Sequence, residues 1–255
     1  MGARRKPKPA NENYMPEEEI FARLDLVRPV MTTMRAVCIP ETVAQRTMTY
    51  LLTQLDKETG AQVAKTALVL GGASSVWDDA AEALHLFRPD AIAAVNDIGT
   101  RWAGRLDIWA TLHPEHFVKW APARAANGFT PARTHIAHED GWRVDSIEDY
   151  RWPGMNASGS SGLYAVKVLM DRGFDRIVLA GVPMQASGAH FFNTSVWNEV
   201  SAFTSAWLDQ RFRLLGVVKS MSGWTRESLG APDADWLGAA ALQRADTRPP
   251  PQRPL

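Results

Sequence analysis

The chain has 255 residues, 45% of them apolar, and its 28 basic residues are matched by 28 acidic ones, giving a formal net charge of zero. That length and apolar content suit one large α/β unit with a single core. Zero net charge argues against a nucleic-acid binder, which usually carries a surplus of Lys and Arg, and no run of about eighteen apolar residues exists to form a membrane span.

In chain order, residues 1–19 are polar and rich in Lys, Arg, Pro and Glu, and read as a solvated tail. Met1 to Pro9 is basic with no apolar stretch behind it, so no secretory signal is expected. Cys38 is the single cysteine, which precludes an internal disulfide or a Cys-rich zinc site and fits a reducing, cytoplasmic compartment. Glu41–Leu55 has apolar residues near helical spacing and predicts an N-terminal helix. Thr66–Leu70 is a short apolar run ending in Gly71-Gly72, a buried strand meeting a tight turn. Trp77–Leu86 then predicts a helix whose early acidic residues suit its dipole. Further strands are expected at Ala91–Val95, Asp107–Leu112, Thr134–Ala137, Arg176–Ala180 and Phe212–Val218, with helices at Gly162–Met170 and Val196–Leu208. From about Ala240, with Pro249, Pro250 and Pro251 in a row, the chain reads as an extended tail.

Strands alternating with helices of about ten residues indicate βαβ crossovers and a mostly parallel sheet. The expected fold is therefore α/β and Rossmann-like, with one domain over 20–239. Such sheets bind ligands beyond the carboxyl ends of their strands, so the residues just after each strand are the candidates. Gly71, Gly72, Ser74 and Ser75 follow the first strand; glycines allow close backbone approach, and the next helix presents N–H groups to an anion. Neither the three-glycine dinucleotide fingerprint nor a Walker lysine is present. Asn96 and Asp97 follow the second strand, where an Asn side chain can read a base or ribose or simply form the turn. His113, Glu115 and His116 invite a metal reading, but a Pro interrupts the pair and no further ligand is evident, so no metal site is expected. Gly159, Ser160 and Ser161 open a helix as a second anion cradle, and Ser220 and Ser222 follow the last expected strand.

Ser161-Gly162-Leu-Tyr164, the helix to Met170, Gly173-Phe174, Ile177–Leu179 and Gly181-Val182 together resemble the central segment of the small bacterial sialyltransferases. Leu70–Ser75 is similar to that family's Gly-Asn-Gly-Pro-Ser turn, and Asn96 to the Asn after its second strand. The resemblance runs in order and spacing from Thr66 to Val218 and extends to archaeal pterin pyrophosphokinase-like proteins of the same fold. It implies a cytidine-monophosphate-linked sugar as donor, Gly72, Ser74, Asn96, Ser160 and Ser161 on the nucleotide, and His190 as general base on the acceptor hydroxyl. A His suits that role because its ordinary pKa lies near neutrality. The sequence departs from the family in lacking an Asp after Gly181, in Pro183, in Gly72-Ala73 for Asn-Gly, and in having no clear counterpart of the Tyr pair that serves the leaving phosphate.

The leading expectation is a glycosyltransferase that takes a nucleotide sugar as co-substrate, its acceptor undetermined. A Mg²⁺-dependent pyrophosphokinase on the same scaffold would need carboxylates, with Asp97, Asp107 and Glu115 as candidates. A third reading is a non-catalytic nucleotide-binding or assembly protein, for example phage-encoded. Trp102, Trp109, Trp120, Trp142 and Trp152 could stack on a sugar or base, but packing in the core or at contacts within a homo-oligomer is the stronger expectation.

Overall fold

Among the described residues seven short segments form strands: β1 (Thr66–Leu70), β2 (Ala91–Val95), β3 (Ile108–Thr111), β4 (Thr134–Ala137), β5 (Ser146–Ile147), β6 (Arg176–Ala180) and β7 (Val218–Ser220). The computed structural model describes residues 64–155, 159–185, 189–191 and 200–238. The expected tails at 1–19 and 240–255 and the expected helix Glu41–Leu55 lie outside them. The strands make one parallel sheet in the order β5-β4-β3-β2-β1-β6-β7. A strand buried on both faces reads as an unbroken apolar run, and β1 and β2 are buried at every residue.

Alternate strand residues serve opposite layers. Ala67, Val69, Ala93, Ile177 and Leu179 pack with Leu163, Val166 and Trp207, whereas Leu68, Leu70, Ile92, Val178 and Ala180 pack with Val76, Ala80 and Phe117. The first layer is supplied by α3 (Ser161–Asp171) and α4 (Val200–Asp209), and the second by α1 (Val76–Leu86) and α2 (Phe117–Ala126). The sheet is thus Rossmann-like, flanked by helices on both faces. No described helix is long and apolar enough to cross a membrane.

Successive strands β1 to β5 step one way across the sheet. The chain then returns through α3 and sets β6 on the other side of β1. The carboxyl ends of β1 and β6 therefore flank the topological switch point, where an open α/β sheet forms its crevice.

The last strand differs from expectation. Arg211–Leu214 is a helical turn, α5, with Phe212 exposed and Leu214 buried. Gly216, at φ +82°, follows it, and β7 begins only at Val218. Ser220 accordingly ends the strand instead of following it. Trp102, Trp109 and Trp152 are buried in the packed layers, so they form no exposed stacking surface.

Candidate functional site

At the switch point two glycines bring the ends of β1 and β6 together. Gly71 N–H donates to Ala180 O at 2.8 Å and Ala73 N–H to Gly181 O at 3.1 Å. A Cβ on Gly71 would lie 2.3 Å from Gly181 O, and Gly181, at φ +69°, would place one 2.5 Å from Val76 Cβ. Both positions thus require glycine. Behind this junction sits Asp79, in the first turn of α1 and buried. Its Oδ2 accepts from Gly181 N–H at 2.8 Å, Ser222 Oγ at 2.6 Å and Ser75 Oγ at 3.1 Å. One carboxylate so fastens α1 to the loops after β6 and β7.

The junction is one wall of a cavity of about 720 Å³, which Gly71, Gly72, Asn96, Asp97, Gly159, Ser160, Ser161 and His190 all line. The two glycine-and-serine junctions, far apart in the chain, share that space. At the second cradle Ser160 caps α3: its Oγ accepts from Leu163 N–H at 3.4 Å and from the buried Trp207 Nε1–H at 3.2 Å. The first amides of α3, on Ser161 and Gly162, have no acceptor within the helix, as at any helix start, and both residues line the cavity. Ser161 Oγ accepts from Leu112 N–H at 3.3 Å, which ties the helix start to the end of β3.

Asn96 adopts a left-handed backbone, φ +55°. Its carbonyl oxygen accepts from Trp109 Nε1–H at 2.6 Å and its Oδ1 from Thr111 Oγ at 2.8 Å. The side-chain NH₂ is the part that Asn96 can turn to a ligand. Next to it, Asp97 Oδ1 stands 3.4 Å from His190 Nε2. The segment bearing His190 is pinned across the glycine turn: Ser74 N–H donates to Ala189 O at 2.7 Å and Phe191 N–H to Gly72 O at 2.9 Å. Gly72 leaves room for the imidazole, since a Cβ there would approach Nε2 to 2.8 Å.

Three imidazoles, of His113, His138 and His190, line the cavity with Tyr150 at the β4 end. Among the described residues lining it there is no Lys or Arg, and Asp97 is the one carboxylate. His138 Nδ1 is buried without a hydrogen-bond partner, and the ring meets Tyr150 edge-on at 5.4 Å. Tyr164 is sequestered in the core and donates to Glu148 O at 3.2 Å; burial pushes its hydroxyl pKa well up, so it is no proton carrier.

Other expected residues lie elsewhere. Ser74, Ser75, Ser220 and Ser222 are not among those lining the cavity. Ser75 and Ser222 face Asp79 instead, and the buried Ser220 Oγ pairs with Thr225 Oγ at 2.8 Å. Asp107 sits at the amino end of β3, the far side of the sheet from the cavity, between Arg105 at 2.8 Å and Arg133 at 3.4 Å. Glu115 is exposed and lies 3.5 Å from His113 and 3.8 Å from His116. Among the described residues no group of three or more His, Cys, Asp or Glu side chains could hold a metal ion. Asp79, His138 and Trp207 were not anticipated as site residues. Only His138 carried a signal, as a polar residue directly after a strand.

No protein-family model matches the chain, and no curated protein is similar to it. Among solved structures, sialyltransferase CST-II in complex with a trisaccharide acceptor and CMP is similar with a TM-score of 0.46 at 10% identity, over 66% of this chain and 86% of that one.

Proposed function

We propose that the protein is a glycosyltransferase that takes a nucleotide-activated sugar and uses His190 as general base. The observation that carries the reading is that two glycine-and-serine junctions and the His190–Asp97 pair line one cavity at the switch point. The amides at the start of α3, together with that of Gly72, would receive the donor's phosphate, with the Ser160 and Ser161 hydroxyls beside them. Asn96 would read the ribose or base.

The His190 imidazole, beside the Asp97 carboxylate, takes the proton of an acceptor hydroxyl. The acceptor oxygen attacks the anomeric carbon as the bond from that carbon to the phosphate oxygen breaks. The nucleotide leaves with the bonding pair, and the imidazolium returns its proton to solvent. Donors that converge on the departing phosphate stabilise the charge that develops there. The order of motifs that resembles the small bacterial sialyltransferases supports the same assignment.

The test is a thermal-shift screen of nucleotides and nucleotide sugars, with and without Mg²⁺, followed by turnover assays on those that stabilise the chain. Metal-independent release of a nucleotide from its sugar is expected. Stabilisation without any turnover would reduce the protein to a nucleotide binder, and strict Mg²⁺ dependence with AMP release would favour a pyrophosphokinase.

A further inference from the structure

Beside the cavity lies a shallower cleft of about 370 Å³, and Asp97 lines both. The residue whose carboxylate approaches His190 therefore stands where the two spaces adjoin. Lys119, Trp120, Ala123, Ala126 and Asn127 line the cleft, at spacings that put them on one face of α2 and its C-cap. Thr100 and Arg101, at the end of the 3₁₀ turn Asn96–Thr100, form the opposite side.

The two spaces differ in charge. The large cavity has no Lys or Arg among its described lining, whereas the cleft has Arg101 and Lys119 against the shared Asp97. They differ in furniture too. Trp120 is half-buried and held flat against Trp109, ring centres 6.3 Å apart and planes 14° apart. Asn127 is fixed by donating to Thr100 O at 2.8 Å, and its amide oxygen can accept from a hydroxyl. Ala123 and Ala126 keep the floor low. Arg124, on the buried side of the same helix, grips the carbonyls of Gly99, Trp102, Gly104 and Thr130 at 2.6–3.1 Å, so the cleft walls are rigidly joined. A fixed indole, a fixed amide and two cations suit a sugar ring that bears an anionic group.

We propose that this cleft is the subsite of the second substrate and takes an anionic sugar, carrying a carboxylate or a sulfate. The assignment of the cleft to the acceptor rests on the transferase reading, because it uses the contact between Asp97 and His190. The binding preference can be measured without a donor.

The experiment presents the full chain with immobilised lactose, sulfated lactose and a disaccharide ending in glucuronic acid. The anionic glycans are expected to bind about fivefold tighter than lactose or more at low salt, an advantage that shrinks at 0.5 M salt on the order of a 4 Å Debye length. Lys119→Ala and Arg101→Ala should each reduce the preference, and Lys119→Arg should restore it. Equal retention of neutral and anionic glycans, no retention of either, or a preference that survives both alanine variants would overturn the proposal. Nucleotide stabilisation of the unaltered chain is measured in parallel. Glycan preference without nucleotide response keeps the anionic-sugar site and sinks the transferase, whereas the reverse sinks the site alone.

Discussion

The imidazole of His190 rests over Gly72 and reaches toward Asp97. His190→Ala is expected to lower kcat about 10²–10⁴-fold with little change in nucleotide affinity, the signature of a lost proton carrier. Steady-state kinetics with a nucleotide-binding measurement check both halves. Gly72→Ala is the complementary probe. The new methyl would meet the far end of a side chain, so the fold should tolerate it, while the imidazole is displaced. Turnover should fall at least tenfold with the melting temperature nearly unchanged. If both variants turn over normally, the proton goes elsewhere. In the sequence His190 was singled out through the family resemblance, by its place before an expected helix, whereas its approach to Asp97 left no trace there. The two are far apart along the chain, and among the described residues the antiparallel contact of Ala189–Phe191 with the glycine turn brings them together.

At the scale of elements, the strand–turn junctions are held by backbone fit and by one carboxylate. Gly71→Ala would press a methyl against the Gly181 backbone, which cannot yield without separating β1 from β6. We expect a loss of about 1–3 kcal/mol and weakened nucleotide binding together. Asp79→Ala leaves the Gly181 amide and the Ser75 and Ser222 hydroxyls without their common acceptor. A cost of about 3 kcal/mol, or roughly 6–12 °C in Tm, should follow by calorimetry. Strands β1, β2, β4 and β6 have the expected bounds, and burial on both faces writes β1, β2 and most of β6 as apolar runs. α2 was missed because Pro122 interrupts its pattern and its buried residues include Arg124. β5 has only two residues and leaves no periodicity to read. Asp79 was visible only as an acidic residue near a helix start. Its three partners come from Ser75 and two distant loops, which no local pattern reports.

For the molecule as a whole, a pair on β4 and the turn after it makes stability depend on acid pH. His135 is buried between Trp109, 5.7 Å away, and Phe117, at 5.0 Å, and burial lowers its pKa from the ordinary 6.5 despite the Asp145 carboxylate at 3.1 Å. Hydrogen bonding from the His135 amide in turn lowers the Asp145 pKa from 3.8. Both groups bind a proton more readily in the unfolded chain, so both remove stability as pH falls: His135 below about 6.5, and Asp145 below about 4. Denaturant midpoints should therefore decline from pH 7 to 5, and His135→Phe should flatten that part of the profile. An unchanged slope in the variant would place the titration elsewhere.

The sheet tapers at its margins, with two residues in β5 and three in β7, while its middle strands have four or five. Outer strands this brief offer few unpaired amides and carbonyls for a foreign chain to copy. Templated growth by strand addition is thereby discouraged at both borders of the described sheet.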